Sequence, residues 1–228
     1  MDPPKSGRDL MMVLPIYIVV DTSESTASIL GDFRSALTDM LHGMETDPAL
    51  NDLVRVSILA FSDSALRLSP LGSLVEIQVP ELRASGGTQF GPALRLLRQC
   101  LDEDVKRLRG DGLRILRPIA FFMTDGDPTD PDWREAIDAL RDDPQGPTMF
   151  PIGFGATDPS ILRSLAIRNG TPFVIAGTEP GQSARALIEG LRPVVGSVVS
   201  SSAIGRDDGL VAPQYDPPGW ISIEETAV

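Results

Sequence analysis

The stretch LPIYIVVDTSES, residues 14–25, decides how this chain is read. Its apolar run is largely β-branched, with Ile16, Ile18, Val19 and Val20, and it stops abruptly at Asp21. Thr22, Ser23, Glu24 and Ser25 follow, so five oxygen-bearing side chains stand in succession. A continuous apolar run marks a strand buried on both faces of a parallel sheet, and the polar residues mark the loop it empties into. In open α/β sheets ligands bind where loops leave the carboxyl ends of central strands. Residues 14–25 therefore nominate both a fold class and the place on it where function resides.

The same scheme recurs downstream. Ile29, Phe33, Leu37, Met40, Leu41 and Met44 fall at helical spacing and predict an amphipathic helix from Ala27 to Met44. TDPAL then turns the chain into a second buried strand, VRVSILAFSD at 54–63, and LGSLVEIQV at 71–79 alternates as an edge strand does, which suggests a hairpin. The glycine loop ELRASGGTQF, 81–90, feeds the helix GPALRLLRQCLDEDVKRL, 91–108. RPIAFFMTDGDPTD, 117–130, repeats the opening, with the apolar strand Ile119 to Met123 followed by Thr124, Asp125 and Gly126. PDWREAIDAL is the next helix, with Pro131 in its first turn and Asp130 as its cap. TMFPIGFG, DPSILRSLAIRN and TPFVIAG continue as strand, helix and strand, and a helix from about Gln182 closes the domain.

Strand alternating with helix specifies an α/β fold: a doubly wound, mostly parallel central sheet with one antiparallel edge strand and helices on both faces. The expected organisation is a lead-in at 1–12, one domain at 13–203, and an acidic Pro/Gly-rich tail at 204–228 that either packs through Tyr215, Trp220 and Ile221 or stays disordered.

Composition narrows the chemistry. Thirty-two acidic against twenty basic residues among 228 give a formal charge of −12, which argues against general affinity for nucleic acid or anionic membranes. Cys100 is the only cysteine and His42 the only histidine, so disulfides, Cys/His zinc sites and His-dependent triads find no support. Cys100 reads as core, and His42 as solvated or as favouring the dipole at a helix end. The N-terminal segment lacks a signal-peptide cleavage pattern and its apolar run is too short to span a bilayer, so a cytoplasmic location is expected. GFGAT, 153–157, lacks the last glycine of a dinucleotide motif.

Two strands thus end in aspartate, and a third loop offers SGGT. If those strands lie side by side where the sheet reverses its order, Asp21, Ser23, Ser25, Thr88 and Asp125 converge. Hydroxyls and carboxylates without sulfur or imidazole suit a hard cation, Mg²⁺ or Mn²⁺ before Ca²⁺. Gly86 and Gly87 let the backbone before Thr88 approach closely. Asp127 and Asp130 read as turn and cap residues ahead of any role beside the metal, and Gln89 and Phe90 as loop packing ahead of a docking rim.

With these residues in order, the chain resembles the von Willebrand factor A domain over roughly residues 13–200. The family's metal-ion-dependent adhesion site is Asp-x-Ser-x-Ser, a distant Thr and a later Asp followed by Gly. Here these are Asp21, Ser23, Ser25, Thr88 and Asp125 with Gly126. The resemblance implies that the hydroxyls bind the metal directly, that the aspartates act directly or through water, and that an Asp or Glu of a protein partner completes the octahedron. SGGTQFGPAL and MTDGDPTD are similar to the bacterial tellurium-resistance-associated branch. That likeness implies a stress or signalling assembly, with protein kinases, protein phosphatases or calcium-binding stress proteins as partners. The C-terminal zinc module that some members of the branch carry is not expected in these residues, since one Cys and one His cannot form it.

The leading expectation is therefore a non-enzymatic, metal-dependent protein-binding module. A Mg²⁺-dependent hydrolase or phosphatase using Asp21 as nucleophile is the rival; such enzymes need a second acid two residues on, where this chain has Ser23. A scaffold with an empty metal site is the third reading.

Overall fold

The computed structural model describes residues 11–155, 157–175, 189–191, 193, 195, 196 and 220–223. Their order is β1 (Met12–Asp21), a 3₁₀ turn (Glu24–Ser28), α1 (Leu30–Glu45), α2 (Pro48–Leu53), β2 (Val54–Phe61), β3 (Ala65–Ser73) and α3 (Phe90–Gly110). Then come β4 (Arg114–Ile115), β5 (Ile119–Thr124), α4 (Trp133–Asp142), β6 (Thr148–Gly153), α5 (Pro159–Leu165), β7 (Phe173–Ile175) and β8 (Trp220–Ser222). The strands form one sheet in the order β3-β2-β1-β5-β6-β7-β8, with β4 pairing to the start of β1. β1 runs parallel to β2 and β5, and β5 to β6 to β7; β3 and β8 are antiparallel at opposite edges. The chain winds outward from β1 in both directions, so the order reverses between β1 and β5.

β1 shows why its apolar run is continuous. Leu14, Ile16, Ile18 and Val20 join the core beneath α1, while Val13, Tyr17 and Val19 join the core beneath α3 and α4. Successive side chains alternate across a strand, so a central strand covered on both faces must be apolar at every position. Leu191 and Val195, both helical, are buried in the α1 layer. The proposed start of the closing helix at Gln182 lies outside the described residues. Among the described residues no helix is long and apolar enough to cross a membrane.

Several local expectations are corrected. The antiparallel edge strand is Ala65–Ser73, not 71–79: Ser62 N donates to Ser64 O, the turn is that tight, and pairing with β2 begins at once. Pro70 lies inside this strand, where a proline without an N–H is tolerated because the strand is at the sheet's edge. TDPAL turns the chain and also starts α2, with the Asp47 carboxylate accepting from Ala49 N. The helix expected from Ala27 begins as the 3₁₀ turn and becomes α-helical only at Leu30. In the segment assigned to the tail, Trp220–Ser222 pairs with β7.

Candidate metal centre

β1 and β5 are adjacent and end level with one another, so Asp21 and Asp125 leave the same edge of the sheet on either side of its reversal point. Asp21 is fully buried. Its Oδ1 accepts from Ser23 N at 2.8 Å, which folds the loop back over the strand end, and its Oδ2 accepts from Thr124 Oγ1 at 2.6 Å. That turn brings Ser23 Oγ to 3.1 Å from Ser25 Oγ, and Ser25 Oγ donates to Asp125 Oδ1 at 2.8 Å. Ser23, Ser25 and Asp125, separated by a hundred residues, thus form a continuous chain of oxygens.

Thr88 arrives from the glycine loop and is buried. Its Oγ1 lies 3.7 Å from where a Cβ on Gly126 would stand, beside the Asp125 loop. Its carbonyl accepts from Thr129 N at 2.8 Å and from Thr129 Oγ1 at 3.1 Å. The loop is also held to the Asp21 side: Ser85 N donates to Thr22 O, and Glu24 N to Gly86 O. All five nominated residues therefore gather at one end of the sheet.

Burial raises the pKa of Asp21, and hydrogen bonds from Ser23 and Thr124 oppose the shift. Burial likewise raises Asp125, against the bond from Ser25. Two carboxylates held where bare negative charge is disfavoured, beside three hydroxyl oxygens, fit a hard divalent cation. Among the described residues no three His, Cys, Asp or Glu side chains cluster, so hydroxyls would have to make up the donor set. Ser23, Ser25 and Thr88 are the residues suited to direct ligation. Asp21, with both oxygens engaged by the protein, suits an indirect role.

Some assignments change. Asp130 does not cap α4, which starts at Trp133. Its Oδ1 accepts from Phe90 N and its Oδ2 from Gly91 N, both at 2.8 Å, so it caps α3 from across the sheet edge. Phe90 is fully buried, in edge-on contact with Phe61, Phe122 and Trp133, and belongs to the core and not to a rim. Asp127 is a loop residue whose Oδ1 accepts from Asp158 N. Cys100 is buried in the core, and the exposed His42 lies in the last turn of α1 beside Glu45.

Two residues of the site were not foreseen. Thr124 joins the Asp21 carboxylate to the Asp125 loop, since its Oγ1 also accepts from Gly126 N at 3.3 Å. Asp63 Oδ1 accepts from Gly87 N at 2.9 Å. The signal for Asp63 was available, because it follows the end of β2 at the same sheet edge as Asp21.

The sequence model of the von Willebrand factor type A domain matches residues 16–186. No curated protein matches the sequence. Among solved structures, a von Willebrand factor type A protein from Catenulispora acidiphila is 21% identical with a TM-score of 0.57, over 78% of this chain and 41% of that one. Proximal thread matrix protein 1 from the mussel byssus, in a structure described as having a zinc-occupied MIDAS motif, is 16% identical with a TM-score of 0.56, over 79% of this chain and 48% of that one. BatB from Bacteroides thetaiotaomicron is 16% identical with a TM-score of 0.54, over 81% of this chain and all of that one. The chain spans less than half the length of the first two. Likeness at this level of identity establishes the fold.

Proposed function

Because the chain belongs to the von Willebrand factor type A domain family, we propose that it is a metal-dependent protein-binding module. Ser23, Ser25 and Thr88 ligate a divalent cation, Mg²⁺ or Mn²⁺ before Ca²⁺, with Asp21 and Asp125 acting beside them. A cation with few direct carboxylates keeps residual positive charge and an open position, so it attracts an Asp or Glu of a partner. The observation that carries this reading is the unbroken oxygen chain from Ser23 through Ser25 to Asp125 at the reversal point of the sheet. The mussel protein's zinc-occupied motif supports a metal at such a site.

The hydrolase alternative is disfavoured by Asp21 itself. A nucleophile must reach its substrate, whereas Asp21 is fully buried and both of its oxygens accept protein hydrogen bonds. We place the protein in the cytoplasm of a bacterium, in a tellurium-resistance, stress or signalling assembly with a kinase, phosphatase or calcium-binding stress protein. The choice of assembly rests on SGGTQFGPAL and MTDGDPTD. We also take 13–203 as the domain, between a lead-in at 1–12 and a tail at 204–228.

Isothermal titration with Mg²⁺ and Mn²⁺, with and without acetate as a carboxylate mimic, tests the function. Wild type should bind, acetate should tighten binding, and Asp21→Ala should abolish it. No binding in either condition, together with partner capture unaffected by chelator, would establish the scaffold reading instead.

A further inference from the structure

We propose that Asp63 and Asp130 are positioning residues for Thr88: they hold its hydroxyl where a cation needs it without being ligands themselves. The inference rests on the metal-site reading above. Ser23 and Ser25 ride on the end of a central strand, and Asp125 on the end of its neighbour. Thr88 instead lies one residue before the end of an irregular stretch, 74–89, that contains no helix or strand. A ligand must be held to within about 0.5 Å of its working position, and an unsupported loop of that length does not do so.

The support comes from hydrogen bonds on both sides of Thr88. One residue before it, Gly87 N donates to Asp63 Oδ1 at 2.9 Å. Two and three residues after it, Phe90 N and Gly91 N donate to the two oxygens of Asp130, each at 2.8 Å. Bonds to carboxylates are stronger than neutral ones, and those from the first turn of a helix also gain from its dipole. Glycine at two positions makes room: a Cβ on Gly86 would overlap the Asp63 carboxylate, and one on Gly91 would stand 2.5 Å from Asp130 Oδ2. Asp130 shares its loop with Asp125 and with Thr129, which holds the Thr88 carbonyl. Thr88 therefore cannot shift relative to Asp125 without breaking several strong bonds.

The experiment measures Mn²⁺ affinity by calorimetry and electron paramagnetic resonance on folded protein, with circular dichroism as the check on folding. Asp63→Ala and Asp130→Ala should each weaken Mn²⁺ binding about 10- to 100-fold, the range seen when groups that orient metal ligands are removed. Asp63→Asn keeps an oxygen for Gly87 N and should restore affinity, which a purely electrostatic effect would not. Asp130→Asn turns one of its two acceptors into an NH₂ group and should fall between wild type and alanine. Asp47→Ala removes the cap of α2 and should lower the melting temperature while leaving Mn²⁺ affinity unchanged. If Asp130→Ala fails to fold, Asp63→Ala and Asp130→Asn decide. Wild-type affinity in the Asp63 and Asp130 variants, with weak binding in Thr88→Ala, would overturn the inference and leave both residues as structural caps. No Mn²⁺ binding by wild type, or equal binding by wild type and Thr88→Ala, would overturn the metal-site reading and this inference with it.

Discussion

Thr88 and Gly86 sit two residues apart and answer to different physics. Thr88 supplies a hydroxyl to the site and little to the core, so Thr88→Ala should weaken Mn²⁺ binding at least tenfold, read by calorimetry. The same variant should change the unfolding free energy by less than about 1 kcal/mol, read by urea denaturation. Gly86 has a φ of +68° and lies against the Asp63 carboxylate. Gly86→Ala should therefore destabilise the fold by about 1–2 kcal/mol from the left-handed backbone alone. In a chain of this size that is a fall of roughly 2–8 °C in melting temperature. The SGGT loop was legible as a candidate loop for the site from its hydroxyl and glycines. What the glycines make room for was not, because Asp63 lies beyond an intervening strand and a long loop.

At the scale of elements, β1, β3 and α3 are tied by a polar knot inside an otherwise apolar layer. Tyr17 donates to Asp104 Oδ2 at 2.9 Å, Arg67 pairs with the same oxygen, and Arg107 reaches Asp104 Oδ1 at 3.3 Å and Leu71 O at 2.9 Å. Asp104 is buried. Removing one member of a buried ion pair leaves the other charge uncompensated, so Asp104→Ala should cost about 3–5 kcal/mol. Tyr17→Phe deletes one hydrogen bond and should cost about 0.5–1.5 kcal/mol. Chemical denaturation of both variants checks the order. Burial, then the neighbouring Asp104 charge, holds the Tyr17 phenol far above its usual pKa. Below about pH 10 folded and unfolded chains both keep this proton; above it only the unfolded chain releases it. Tyr17 should thus contribute a loss of stability as pH rises past that point, and Tyr17→Phe should remove that slope. Helical spacing predicted α3 and its apolar face but gave no sign of the role of Asp104, because Tyr17 and Arg67 come from strands remote in sequence.

For the whole molecule, a ligand that binds only the folded state stabilises it by mass action. Free Mg²⁺ or Mn²⁺ at 100 times its dissociation constant should add about 2.7 kcal/mol. That corresponds to a rise of roughly 5–11 °C in melting temperature, reversed by chelator and absent in Asp21→Ala. Differential scanning calorimetry with and without the ion is the check. Much of the architecture behind this prediction was readable beforehand. β1 and β5 are nearly continuous in apolar residues because both faces are covered, and their runs end where the polar loops begin, at Asp21 and Asp125. The edge strand was misplaced because Pro70 and a short turn are weak local signals whose meaning depends on lying at the sheet's margin.

The sequence by itself determined what each stretch must be: buried strands from continuous apolar runs, amphipathic helices from their spacing, and hard oxygen donors at Asp21, Ser23, Ser25, Thr88 and Asp125. Those are local properties, set by side-chain chemistry and chain periodicity. Only the tertiary structure decided that β1 and β5 lie side by side, which joins Ser25 to Asp125. It alone set Asp130 to cap a helix forty residues upstream and Asp63 to hold the loop before Thr88. A carboxylate accepts from whichever backbone N–H the fold presents to it, and strand order, not sequence neighbourhood, determines which one that is.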